Sequence, residues 1–233
     1  MSAFGDLRTL VIDTGVGNRA SVAAALGRCG AEYEFTLDPD EVSAADAVVL
    51  PGVGGFRAGM QTLTERGLDA VLRERVRLGR PTLGVCLGLQ LFASSSAESR
   101  GVRGLGLFDL SVEPLPAEPR LPQLGWNAVE AEDGCELLTS GWAAYANSFA
   151  LLAKPSGWFA AWSRYGARFI AGLERGDVLL CQFHPELSGP WGRALLTRFL
   201  ERAVAARTGS GDLLPRPAVQ PRFQEVPKCS PRV

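Results

Sequence analysis

Residues 81–92 read PTLGVCLGLQLF. The short apolar run Thr82 to Val85 predicts a buried strand, and Leu87 to Phe92 predicts the start of a helix, so Cys86 falls at the bend between them. Gly84 and Gly88 flank it two residues away on either side. A tight strand-to-helix turn brings main chains so close that side chains would collide, which favours glycine there and pushes the central residue outward. The sulfur then sits at a helix N-terminus, where unpaired N–H groups favour the thiolate. A lone cysteine in an apolar run is ordinarily a small core residue, however. The decision between these readings comes from the far end of the chain.

That end holds His184, the single histidine, in VLLCQFHPE, residues 178–186. A second apolar strand run stops there at a proline. Pro185 disfavours the helical region for the residue before it, so His184 is expected to be extended, with Glu186 pointing to the same side. A thiol, an imidazole and a carboxylate that orients it are the three parts of a covalent acyl-transfer site.

Together, GVCLGLQLF and QFHPE resemble the paired motifs of class I glutamine amidotransferases, and the resemblance runs from about Leu7 to Ala206. It implies an α/β fold with an open, mostly parallel sheet flanked by helices and an added antiparallel portion. It also implies a catalytic triad of Cys86, His184 and Glu186. Two further stretches, IDTGVGNRASV after the first strand and LPQLGWNAVE in the middle, resemble the glutaminase subunits of imidazole glycerol phosphate synthase. In those proteins ammonia passes to a separate cyclase subunit, so a heterodimer is implied. Asn18, Trp126 and Asn127 are carried over as partner-facing residues, Gln90 and Ser148 as substrate-binding ones. No metal and no cofactor is implied.

Composition agrees with a single domain. The chain has 233 residues, 46% of them hydrophobic and 21% charged, enough for one substantial core. A formal net charge of −1, with arginines scattered rather than clustered, argues against a nucleic-acid footprint. Five cysteines, an odd number without a Cys-x-x-Cys pair, suggest neither a disulfide framework nor a zinc site. The N-terminus lacks a basic segment followed by an apolar run, and no apolar run reaches spanning length. A cytoplasmic protein is expected.

Taken in order, strands are predicted at Thr9–Ile12, Tyr33–Leu37 and Ala47–Leu50, with a helix from about Ala20 to Cys29. Gly15 and Gly17 could cradle a phosphate, but the G-x-G-x-x-G spacing is not completed; the resemblance implies a partner-facing turn, and turn geometry alone explains both glycines equally well. The third strand ends in Pro51-Gly52-Val53-Gly54-Gly55. Ligand sites of open α/β sheets gather at the carboxyl ends of strands, and bare backbone N–H groups can receive the charge that builds on an attacked carbonyl. By resemblance, Gly52 and Val53, with the N–H of Leu87, form this oxyanion hole. Helices are expected at about Phe56–Glu65 and Leu68–Leu78. Ser94–Gly106 and Pro114–Pro122 read as connectors, followed by strand runs at 126–129, 143–151, 158–165, 169–173 and 178–183 and a closing helix at Gly192–Ala206.

The chain departs from its relatives at two places. Many carry a histidine where Gln123 precedes Leu124, and another within the stretch that here reads Tyr145-Ala146-Asn147-Ser148-Phe149. Neither touches the triad. From Thr208 to Val233 the chain carries five prolines and little apolar periodicity, so a disordered tail beyond a domain of residues 1–207 is expected. The competing readings are a glutaminase serving another synthase, a cysteine peptidase on a similar scaffold, and a catalytically silent binding subunit. Gln90 speaks against the second, the intact triad against the third.

Overall fold

A computed structural model describes residues 4–15 and 18–209. In chain order the first half runs β1 (Thr9–Ile12), α1 (Arg19–Arg28), β2 (Tyr33–Thr36), α2 (Pro39–Ala44), β3 (Ala47–Gly52), α3 (Phe56–Glu65), α4 (Leu68–Arg77), β4 (Thr82–Cys86) and α5 (Leu87–Gln90). The second half runs β5 (Ala93–Ser96), β6 (Phe108–Pro114), β7 (Gln123–Ala131), β8 (Gly141–Asn147), β9 (Phe149–Ala150), β10 (Phe159–Tyr165), β11 (Ala167–Arg175), β12 (Val178–Cys181) and α6 (Gly189–Thr208).

A nine-stranded sheet in the order β2-β1-β3-β4-β12-β11-β10-β7-β8 forms the centre. Its first five strands are mutually parallel, and the remaining four continue it antiparallel, as expected for the mixed α/β class. The four inner parallel strands, β1, β3, β4 and β12, are apolar at nearly every position because both of their faces are covered, whereas β2 is a partly exposed edge. Val11, Val49, Val85 and Leu179 face one core with Leu26 of α1 and Phe199 of α6. Their neighbours Leu10, Val48, Leu50 and Leu180 face the other, with Leu63 of α3 and Leu72 of α4. Alternation along each strand thus feeds two cores from one sheet.

Placement of β12 matters most for function. It enters from the antiparallel half and pairs parallel to β4, matching Cys181 with Val85. Both strands therefore finish at the same edge, and the residues after β12 emerge beside Cys86.

Several local expectations change. Helix α2 goes unread in the sequence analysis, although Asp38 caps it by accepting from the amides of Asp40 (2.8 Å) and Glu41 (3.3 Å), with Pro39 in the first turn. The stretch 94–106, expected to be a connector, contains most of β5 and a 3₁₀ turn at Ala97–Ser99. With β6 and β9, β5 builds a separate three-stranded sheet. Its serines carry no apolar alternation, which is why the strand is silent in the sequence. The expected helix at 87–92 stops after one turn at Gln90, and the chain returns to strand at Ala93. Helix α6 extends through Thr208 and ends on Gly209 in the left-handed region (φ 67°). The tail expected to be disordered otherwise lies outside the described residues. No described helix is long and apolar enough to cross a membrane.

Candidate active site

Cys86 is the last residue of β4 and the one before α5, with φ 54° and ψ −106°. Among the described residues it is the one non-glycine with positive φ. Such a conformation costs a β-carbon-bearing residue about 1–3 kcal/mol and persists only where the surroundings enforce it. Enforcement is visible in the neighbours. A β-carbon on Gly88 would lie 2.0 Å from the carbonyl oxygen of Leu50, so α5 presses its main chain directly onto β3. A β-carbon on Gly52 would lie 2.8 Å from that of Leu87. Gly52 is also the register partner of Cys86, which sets the end of β3 against the nucleophile turn.

On the other side, β12 continues through Gln182 and Phe183 to His184, which is extended (φ −100°, ψ 93°) as Pro185 requires. His184 and Glu186 are both buried, and Nδ1 of the imidazole lies 2.8 Å from Oε1 of the carboxylate. The expected reason for this pairing is not the one found. Residues 185–187 form a 3₁₀ turn, so the carboxylate curls back to the ring nitrogen instead of alternating along a strand. Burial works against the imidazolium, but the hydrogen bond to Cys86 and then the Glu186 carboxylate outweigh it, and the His184 pKa is raised to about 10. Sulfur and imidazole, nearly a hundred residues apart in sequence, are brought close enough for each to act on the other's charge.

Two amides complete the interior of the site. Gln90, buried on α5, donates through Nε2 to the carbonyl of Phe149 and to Oε1 of Gln182, both at 3.0 Å. Gln182 donates in turn to the Cys86 sulfur at 3.6 Å. In the sequence Gln182 reads only as part of the strand run at 178–183. Its signal was a polar residue inside the otherwise apolar run VLLCQF, a pattern that a buried strand tolerates only if the amide is used.

Of the three residues expected to form the oxyanion hole, Gly52 and Leu87 lie against each other at the turn. Leu87 is the first residue of α5, so its N–H has no acceptor within the helix. Val53, the residue after β3, is exposed. Its loop is anchored from behind by Glu98, which accepts from the amide of Phe56 at 2.7 Å. Ser148 is half-buried between β8 and β9, and its carbonyl is taken by the amide of Leu115 at 2.9 Å.

The residues expected at a partner face divide. Trp126 is 57% exposed on β7. Asn18 instead caps α1, accepting from the amide of Ser21 at 3.1 Å, and Asn127 donates to the carbonyl of Arg164 at 2.9 Å. Both asparagines thus have local structural work. Gln123 and Asn147, the two departures from the relatives, turn out to be cross-strand partners, each buried with a side-chain oxygen that meets no protein donor.

Residues 10–203 match the family model for glutamine amidotransferase class-I. The chain belongs to the class I glutamine amidotransferase family. The imidazole glycerol phosphate synthase subunit HisH of Symbiobacterium thermophilum is 40% identical to this amidotransferase over 196 residues, covering 82% of this chain and 92% of that protein. The same-named protein of Carboxydothermus hydrogenoformans is 39% identical over 196 residues, covering 83% and 98%. Among solved structures, one described as a glutamine amidotransferase superimposes with TM-score 0.67 at 23% identity, covering 84% of this chain and 98% of that one. The PurLQS structure from Thermotoga maritima superimposes with TM-score 0.64 at 17% identity, and these likenesses establish the fold.

Proposed function

We propose that this amidotransferase hydrolyses glutamine to glutamate and ammonia as the glutaminase subunit of an imidazole glycerol phosphate synthase. The observation that carries the reading is the Cys86–His184–Glu186 arrangement at the shared edge of β4 and β12, in a chain 40% identical to a synthase subunit of that name.

Proton transfer from Cys86 to His184 gives a thiolate beside an imidazolium that Glu186 holds in place. The sulfur attacks the side-chain carbonyl of glutamine, and the oxygen takes up negative charge against the N–H groups of Val53 and Leu87, with Gly52 leaving room for it. Collapse of the adduct breaks the C–N bond. The imidazolium protonates the departing nitrogen, and ammonia leaves behind a glutamyl thioester on Cys86. Water, deprotonated by the same imidazole, attacks the thioester carbon and releases glutamate and the thiol. Gln90 and Ser148 are the residues assigned to hold the substrate.

Ammonia is mostly protonated in water at neutral pH and then no nucleophile, so a synthase needs a protected route to its second site. The partner is assigned as the cyclase subunit, in a cytoplasmic heterodimer. Support comes from the outward side of the β7–β8 hairpin, where Leu124, Trp126 and Trp142 are 72%, 57% and 61% exposed on one face. Apolar surface so concentrated on a sheet face ordinarily marks an interface. The test is to combine Cys86→Ala with the cyclase. Glutamine-dependent synthesis of imidazole glycerol phosphate and aminoimidazole carboxamide ribotide should vanish while ammonia-dependent synthesis persists. Retained glutamine hydrolysis in that variant would remove Cys86 from the mechanism, and a different co-purifying synthase would replace the partner.

A further inference from the structure

The interior behind Cys86 contains a group that the reaction above does not use. Gln182 is fully buried one residue past β12, its main chain held by a bond from its amide to the carbonyl of Ala171 at 2.8 Å. Burying a side-chain amide is unfavourable unless its donors and acceptor are engaged. Here the acceptor is taken by Gln90 at 3.0 Å, and one donor reaches the Cys86 sulfur at 3.6 Å. Acceptance from Gln90 also fixes which end of the Gln182 amide faces the sulfur. Gln90 is fixed in its turn by the carbonyl of Phe149, an oxygen that also receives Nδ2 of Asn147 at 3.1 Å. A connected set of amides therefore runs from β8 to the nucleophile.

We propose that Gln182 is a positioning residue for Cys86: its N–H, oriented by Gln90, aims the sulfur and holds it as the thiolate. The proposal rests on the reading of Cys86 as the nucleophile. Its physical basis is that a hydrogen bond made to the charged form of a group favours that form, and does so more strongly where water is excluded. Such a donor is needed here because α5 is a single turn, too short to supply the aligned dipoles of a long helix. The arrangement also couples substrate to nucleophile. A glutamine that engages Gln90 acts on the same amide that orients Gln182.

The experiment uses the full chain and two variants, Gln182→Met, which keeps length without a donor, and Gln182→Glu, which still accepts from Gln90 but offers the sulfur no N–H. Alkylation of Cys86 by iodoacetamide is followed by peptide mass spectrometry from neutral to alkaline pH, with Cys86→Ala as the blank. Glutamine hydrolysis is measured alongside, with the cyclase present. At neutral pH, Gln182→Met should alkylate about tenfold more slowly than wild type, and Gln182→Glu more slowly still because a like charge is added. Both profiles should move to higher pH. kcat should fall in parallel while KM stays close to wild type. Should the Met variant fail to fold, the Glu variant carries the test, since it retains the bond with Gln90. An amide that merely fills the core would leave the Cys86 profile of a folded variant where it is, and that result overturns the proposal. Wild-type protein that hydrolyses no glutamine with the cyclase, yet shows a Cys86 profile sensitive to residue 182, would overturn the glutaminase reading and support the role of Gln182.

Discussion

The main-chain amide of His184 donates to the carbonyl of Ala144 at 2.8 Å, so the base of the triad is hydrogen-bonded to the edge strand β8. Ser188 closes the junction. Its hydroxyl donates to the carbonyl of His184 at 2.6 Å and accepts from the amide of Ala144 at 3.0 Å. Ala144 is also the cross-strand partner of Trp126, one of the exposed aromatics of the hairpin. From the apolar surface to the imidazole the path is Trp126, Ala144, His184.

Removing the clamp tests this junction. Ser188→Ala strands the half-buried N–H of Ala144 and leaves the His184 carbonyl with the Leu187 amide alone, which should cost about 1–3 kcal/mol of stability. The functional effect should be larger than this modest destabilisation suggests: kcat lowered several-fold with KM little changed, because the imidazole and not the substrate pocket is loosened. Urea denaturation and steady-state glutamine hydrolysis together check it. A folded variant with wild-type kcat would show that the junction does not position the base.

Charge on the exposed face gives a separate prediction. Trp126→Glu sits on a 57% exposed side chain, so the isolated protein should keep its melting temperature within a few degrees. Association with the cyclase should weaken by about thirtyfold or more, since an aromatic anchor in an interface centre is worth about 2 kcal/mol or more. Sedimentation or calorimetric titration of the two subunits reads this directly. Undiminished binding would move the interface off the β7–β8 hairpin.

Much of this organisation was legible in the sequence, for identifiable reasons. The nucleophile turn could be read because close main-chain approach demands glycine, and Gly84 and Gly88 stand at the required spacing. The β-strands of the parallel half could be read because burial on both faces makes them continuously apolar. The insertion of β12 between β4 and β11 could not be derived locally, because pairing between segments far apart in sequence leaves no periodic trace; the family resemblance supplied only the closure of His184 on Cys86. Helix α2 was missed despite a readable Asp38-Pro39 start. The Glu186 contact was expected for the wrong reason, since a 3₁₀ turn follows Pro185. Gln182 was passed over because periodicity registers where apolar residues are, and its importance lies in being the exception.

The raised pKa of His184 yields a pH prediction with a definite sign. A histidine whose folded pKa exceeds its unfolded value of 6.5 stabilises the fold below that pH, and the contribution disappears as pH rises toward about 10. Glu186→Gln removes one of the groups holding the proton on. The variant should lose its imidazolium at lower pH, moving the alkaline limb of activity down by about one pH unit or more. Its stability deficit against wild type should be fully present below about pH 6.5 and should close as the pH rises toward 10. Parallel kcat–pH and urea curves check both. An unshifted alkaline limb would mean that the carboxylate does not hold the imidazolium.

Strain at the nucleophile makes the last prediction. Cys86 occupies φ 54°, a region that glycine enters freely and alanine does not. If the close packing of Gly88 against Leu50 imposes this conformation, it persists whatever side chain stands at position 86. Both Cys86→Ala and Cys86→Gly should abolish glutamine hydrolysis. Their stabilities should differ by the relief of strain, with the glycine variant more stable than the alanine variant by about 1 kcal/mol, despite the usual entropic disadvantage of glycine. Side-by-side thermal melts at one pH measure the difference. An alanine variant that equals or exceeds the glycine variant would show that the turn relaxes once the sulfur is gone, placing the origin of the strain in the contacts of the thiol itself.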